Sequence, residues 1–352
     1  MTSFNSTSHP RPGLTRRSFL NRSALTVAAA ALSPSLLSAC GSTATSSGNV
    51  TFLSYLPMET LSMTPELLAD AGGYFKEQDL DVQFQVTRGS PQAMQSLLGG
   101  IAPITRIGQI DLMSAAGDGQ PLVNVGSLVR GSALRFLSAS SDPLEKPEDF
   151  VGKTMGVPSE GGTSDKALSL MLSNAGLDPA QVKRQVVGLT PGTFNLVQQG
   201  RIAGYIVSID TANVVASQND DCVVFDPGMS VKSDAQVYTS TTKAIESDGE
   251  TITRYLTAIQ TALADAVADE KLDETLKVLR SKYSFPSLDD DNIARKSLAS
   301  FRSLWTADGT QPILRTDEDY WKAGYDELAT AGMVKSGVNP STWVDNGLLQ
   351  SS

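Results

Sequence analysis

This sequence has almost no histidine. Its one imidazole, His9, lies in a 39-residue N-terminal stretch whose composition differs from the rest. Beyond that stretch the chain has none, which excludes Ser-His-Asp and Cys-His catalysis and the usual imidazole-based zinc or iron sites. No cofactor or metal is expected. Cysteine is nearly as scarce, with Cys40 and Cys222 alone. If Cys40 is modified, no internal disulfide can form. No apolar run beyond the N-terminus reaches the roughly 20 residues that a spanning helix needs. Basic residues are outnumbered 28 to 38, a net charge of −10. The first 39 residues carry Arg11, Arg16, Arg17 and Arg22 and no acid, so the remainder stands at 24 against 38, or −14. A surface that acidic repels nucleic acid and anionic lipid, and no nucleic-acid partner is expected. A local anion site is still allowed.

What is present begins with an address. Thr15-Arg16-Arg17-Ser18-Phe19-Leu20 resembles a twin-arginine export signal. The apolar run from Ala24 to about Leu32 is too short to cross a bilayer and suits a signal-peptide core. Leu37-Ser38-Ala39-Cys40-Gly41 resembles a lipobox, with the Cys40 thiol as acyl acceptor. Residues 41–48 are almost all Ser, Thr, Gly and Ala, the composition of a flexible tether. The expectation is a signal peptide over 1–39, and a lipidated Cys40 with its tether over 40–48. The protein then sits on the outer face of the cytoplasmic membrane, held by lipid.

From Asn49 onward, strand-like runs alternate with helical patterns, which argues α/β. Val50–Ser54, Asp81–Val86, Lys153–Val157 and Gln185–Val187 read as strands. Thr64–Ala71 reads as a helix with Thr64 as cap and Pro65 at its first position. Ser90 is expected to cap the next helix, and another runs from about Thr163 to Asn174. Ser96–Ala102 and Leu196–Ala203 echo one another as a helix end, a glycine and a strand start. With 352 residues, two lobes built on one plan are the natural expectation. After Thr239 the pattern turns helical, with helices expected over about 249–269, 272–283, 288–305 and 317–331, the last capped by Thr316. Trp321 and Tyr325, at i and i+4, read as a packed face.

Gly73-Tyr74-Phe75-Lys76-Glu77-Gln78-Asp79-Leu80-Asp81-Val82 resembles the "GYFKEQGLDV" signature of the nitrate/sulfonate/taurine and thiamine-pyrimidine-precursor binding proteins of ABC importers. Leu97–Gly100, Gly119–Val123, Pro147–Val157 and Ala175–Pro179 follow in the family's order. The sequence departs from the pattern at Asp79, where the family usually has Gly. It departs again at Ala102 and Ala203, where the family has an acid. The resemblance implies a type II periplasmic-binding-protein fold, each lobe a mixed sheet flanked by helices, with extra C-terminal helices. It further implies one lobe over 49–137 and 236–352, the other over 138–235, and crossings near Arg135–Ala139 and Ala235–Thr239. The partners implied are a small-molecule ligand and the permease subunits with their ATPase, the protein itself being a monomer and not an enzyme. The ligand class stays open among sulfonates such as taurine, nitrate-like anions, thiamine pyrimidines and other small organics. The competing readings are an orphan sensory lipoprotein and a carboxylate-dependent enzyme on the same fold. A pyrimidine-making relative within the superfamily uses an active-site histidine that this chain lacks.

Candidate ligand contacts lie at strand ends and helix starts, where free N–H groups favour anions or carbonyl-type oxygens. In the first lobe these are Tyr55 at the end of the first strand, Ser90, and the run Thr105-Arg106 with Gln109. Arg106 lies between Ile104 and Ile107 and needs a partner. It reads either as a clamp on a ligand anion or as one half of an internal ion pair. In the second lobe the candidates are Ser159, Gly161 and Gly162, with Thr163 or Ser164 offering a hydroxyl, then Ser208 and Asp210. Asp210 reads as a holder of an amine or amide nitrogen, which with Arg106 would suit a taurine-like zwitterion, or as a helix cap; each Ser or Thr among them reads equally as an ordinary helix cap.

Overall fold

The computed structural model describes residues 48–227, 236–307 and 309–349. The export signal, Cys40, most of the tether and much of the segment before residue 236 lie outside the described residues.

Among the described residues, ten strands form two five-stranded sheets. The strands are β1 (Gly48–Ser54), β2 (Leu80–Val86), β3 (Ile104–Gly108), β4 (Leu122–Val129), β5 (Leu134–Ala139), β6 (Thr154–Val157), β7 (Lys183–Val186), β8 (Gly204–Ser208), β9 (Cys222–Phe225) and β10 (Gln236–Thr241). The first sheet runs β2-β1-β3-β10-β4 and the second β7-β6-β8-β5-β9. In each, three strands are parallel and the fourth is antiparallel to both of its neighbours. That fourth strand, β10 or β5, is in each case the first to follow a strand of the other sheet. The echo between Ser96–Ala102 and Leu196–Ala203 falls at equivalent places, leading into β3 and β8. The α/β, two-sheet expectation therefore holds. The change of sheet comes between Val129 and Leu134, ahead of the boundary expected at 137. Leu134–Ala139 pairs along its length with β8 and β9, so it belongs to the second sheet instead of crossing into it.

The helices follow from the residues that start them. Pro65 and Pro91 stand in the first turns of Thr64–Ala71 and Ser90–Leu98, where a missing N–H costs nothing. Thr64 and Ser90 are already inside these helices, so the N-cap positions are Met63 and Gly89. The last long helix, Glu318–Thr330, is capped by Asp317, whose side chain accepts from the Tyr320 N–H. The expected cap, Thr316, is buried and bonded to Asn124 and Ser127. Asp79 has φ 54°, a left-handed conformation that glycine adopts freely and aspartate tolerates. That explains why glycine suits the position and why the departure is affordable.

The first sheet carries a core on each face. On one, Phe52 stacks on Tyr255 of the long helix Thr242–Ala268, with ring centroids 5.6 Å apart. On the other, Trp321 and Tyr325 pack with Ile110, Met113 and Val237, as the i, i+4 spacing predicts. The second sheet is likewise covered on both faces, by clusters around Phe136 and Phe150 and around Phe194 and Tyr205.

Arg106 lies in the first of these cores. It is fully buried and pairs with the equally buried Glu66 at 3.0 Å. It also donates to the Ser62 carbonyl at 2.8 Å. Tyr238, opposite Arg106 on β10, donates to the other Glu66 oxygen at 2.8 Å. The internal pair wins over the ligand clamp because β3 turns this side chain under the helix Thr64–Ala71, where Glu66 waits.

Breaking a buried pair leaves one uncompensated charge in the core. Glu66→Gln and Arg106→Met should each cost about 3–5 kcal/mol of unfolding free energy. Urea titration checks this, and a loss within 0.5 kcal/mol, the usual surface range, contradicts it. Cys222 gives a second check. Burial, then the neighbouring Asp221, pushes its thiol up to about 11. Only the thiolate alkylates, so in a Cys40→Ser chain iodoacetamide should react slowly at pH 8 and about tenfold faster per pH unit up to about 11.

Candidate functional site

A cavity of about 240 Å³ lies between the two sheets' layers. The first half contributes Tyr55–Pro57, Glu59, Thr60, Ser62, Gln109 and Ile110. The second contributes Thr163, Ser164, Ala167 and Leu170, the turn Leu189–Pro191, and Ile206–Ser208 with Thr211. The connection Gly131–Leu134, Gln236 at the start of β10, and Pro286 complete the wall. The wall is mostly apolar, interrupted by hydroxyls and two amides. Its ionisable side chains among the described residues are Glu59, which is exposed, and Tyr55. Burial pushes the Tyr55 phenol above its ordinary value, against the pull of Arg106, so it stays a neutral hydroxyl at physiological pH.

Of the residues singled out from sequence, Tyr55, Gln109, Thr163, Ser164 and Ser208 stand in this wall. Arg106 does not, for the reason given above. Thr105 is fully buried, and its hydroxyl donates to the Leu53 carbonyl at 2.7 Å across the first sheet. Ser159, Gly161 and Gly162 lie behind the wall in the turn leading to Thr163–Asn174, where the Gly161 N–H donates to Asp165 at 2.8 Å. Ser90 and Asp210 are also off the wall, and both reach across to the opposite half.

Those crossings form two polar clusters. Asp111, in the first turn of Gln109–Gly117, is fully buried. From the other half, the Thr163 hydroxyl donates to it at 2.5 Å and the Lys166 ammonium at 2.7 Å. The Ser90 and Thr163 hydroxyls are themselves 2.8 Å apart. In the second cluster Asp210, in the first turn of Ile209–Gln218, is 1% exposed. It accepts from the Thr60 hydroxyl and the Leu61 N–H at 2.9 Å, and from Ser287 at 2.7 Å, all outside the second sheet's layers. Ser208 of its own half donates at 2.6 Å. Four donors satisfy this carboxylate, which leaves a ligand amine little to gain there.

Two glycines let the halves meet. A Cβ on Gly108 would stand 2.3 Å from the Thr163 methyl, and one on Gly89 would stand 2.4 Å from the Ser159 hydroxyl.

Sequence reasoning missed Thr60, Ser62, Ser132, Thr190, Thr211 and Gln236 on the wall. Thr190 precedes a proline, so it carried the same helix-start signal as the residues chosen. Gln236 opens a strand with no local mark of its role. Ser62 Oγ and Gln236 Oε1 are buried, face the cavity wall, and have no hydrogen-bond partner among the described residues.

The solved alkanesulfonate-binding protein SsuA from Xanthomonas axonopodis pv. citri, bound to MOPS, superposes with a TM-score of 0.66. The match covers 85% of this chain and 98% of that one at 13% identity, so it speaks for the fold. The formylaminopyrimidine-binding protein of Halalkalibacterium halodurans is 30% identical over 125 residues, 36% of this chain and 38% of that protein. The 4-amino-5-hydroxymethyl-2-methylpyrimidine phosphate synthase of Legionella pneumophila is 25% identical over 127 residues, 36% of this chain and 39% of that protein. The chain thus spans well under half the length of these curated relatives. The family model described as NMT1/THI5 like matches residues 60–271, more than half of the 352. By that match this chain belongs to the NMT1/THI5-like family.

Proposed function

We propose that this protein binds a small, uncharged, flat organic solute between its two halves and delivers it unaltered to an ABC importer. The observation that carries this reading is the wall itself. The cavity is bounded by both halves, and its wall among the described residues includes no lysine or arginine. Sulfonates and nitrate-like anions gain most from a charge-assisted bond to a guanidinium or ammonium. Arg106 is committed to Glu66, and Lys166 to Asp111. The apolar surface suits the faces of a ring, and the hydroxyls and amides suit its edge. Among the classes left open by sequence, the pyrimidine class fits these features, and the name of the Halalkalibacterium relative agrees. The synthase among the relatives favours catalysis as the second reading. Against it, the wall's Glu59 is exposed and its Tyr55 stays neutral, which makes a poor acid–base pair.

The reading extends to location. No described helix is long and apolar enough to cross a membrane. The proposed anchor is lipid on Cys40, after export by the twin-arginine route.

A thermal-shift screen of the purified chain tests the solute class. Neutral aminopyrimidines should raise the melting temperature, with little change between 0.05 and 0.5 M NaCl, and incubation should leave them unaltered. Stabilisation by taurine or nitrate that weakens with salt would contradict the reading. Ser62→Ala and Gln236→Met should each weaken binding of the best aminopyrimidine by about 3- to 10-fold, the value of one neutral hydrogen bond. Location has its own check. The native chain should partition into detergent and sediment with membranes, whereas Cys40→Ser should stay in the aqueous phase.

A further inference from the structure

We infer that Asp111, with Thr163 and Lys166, is a latch that holds the two halves together through the protein's own bonds, so that the closed arrangement is populated before any solute enters. The inference rests on the reading of the cavity as a site enclosed by two halves. It assigns to Asp111 a positioning role, since that side chain is not part of the wall.

Three observations converge on this. First, Asp111 is fully buried, and the Thr163 hydroxyl at 2.5 Å and the Lys166 ammonium at 2.7 Å, both from the second half, donate to it. A carboxylate stripped of water needs such donors, and separation would trade them for solvent. Second, Thr163 bridges. Its hydroxyl also meets Ser90 at 2.8 Å, so one side chain of the second half bonds two helix starts of the first. Thr163 and its neighbour Ser164 line the cavity as well, which ties the latch to the solute's surroundings. Third, the Thr163 side chain packs directly against Gly108. Gly108, at φ −70°, has an ordinary conformation that alanine adopts without strain, yet a Cβ there would meet the Thr163 methyl at 2.3 Å. Glycine at this position therefore serves the contact between halves, and the strand needs no glycine of its own.

The consequence is a shift in how binding energy is used. Where the closed state must be created on binding, apparent affinity is lowered by the fraction of molecules not yet closed. Bonds made by the protein to itself raise that fraction and tighten binding without touching the solute.

The test needs no solute. Nitroxides are placed on the exposed positions Gln95→Cys and Asn174→Cys, one in each half, in a chain carrying Cys40→Ser and Cys222→Ser. Pulsed electron–electron resonance on the ligand-free protein should give one dominant separation, matching this structure. Asp111→Asn should reduce that population relative to longer separations by about tenfold, the worth of charged hydrogen bonds. Gly108→Ala should do the same by steric wedge, and it leaves Asp111 in place should the first variant not fold. Asp142→Asn, on the exposed pair with Lys153, should change nothing. A ligand-free parent dominated by longer separations, or an unchanged distribution in Gly108→Ala, would overturn the latch. Should the separations behave as stated while no neutral solute raises the melting temperature, the solute class fails and the latch stands.

Discussion

The closed cleft depends on two buried carboxylates whose donors come largely from the opposite half. Asp111 and Asp210 each sit in the first turn of a helix, one in each half. That position is favourable for a negative charge because the helix presents its free N–H groups there. It is not sufficient, since a carboxylate removed from water must be met by hydrogen-bond donors. Thr163 and Lys166 supply them to Asp111, while Thr60, Leu61 and Ser287 supply most of them to Asp210. The two requirements are reciprocal, so the halves bind each other at both clusters. Because these groups serve each other, the cavity between them is left to apolar surface, hydroxyls and amides.

The same logic governs the positive charges. Arg106 occupies a strand position that looks made for an anion, between two isoleucines at the heart of the first sheet. The helix Thr64–Ala71 brings Glu66 over it, and Tyr238 joins from the adjacent strand. A core cannot hold an unpaired guanidinium while a ligand is away, so an internal partner serves the fold continuously. The cost to function is that this charge is unavailable to a solute. The proposed preference for neutral rings over anions rests in part on that pairing.

The architecture places both clusters and the cavity together by symmetry of plan. Each sheet has three parallel strands followed by one antiparallel strand that comes after a strand of the other sheet. Parallel strands send their C-terminal ends to the same edge, and the helices that follow them begin there. Ser90, Asp111, Thr163 and Asp210 all lie at such helix starts, which is why one line across the cleft collects so many short polar side chains.

Much of this was legible in the chain itself. Periodicity and punctuation located the helix Thr163–Asn174 end to end, and the repeated helix–glycine–strand form marked two matching halves, because these signals act over neighbouring residues. Tyr55, Gln109, Thr163, Ser164 and Ser208 were found on the wall because strand ends and helix starts are local features. Tertiary structure alone decided what Arg106, Ser90 and Asp210 do. Their partners, Glu66, Thr163 and Thr60, lie 40, 73 and 150 residues away, and nothing local names them. Gln236 reaches the wall because β10 returns to the first sheet after the whole second half has been built. The sequence determined which side chains would need a partner, since charge and hydroxyl groups cannot be buried bare. Only the fold decided whether that partner was a solute or the protein itself.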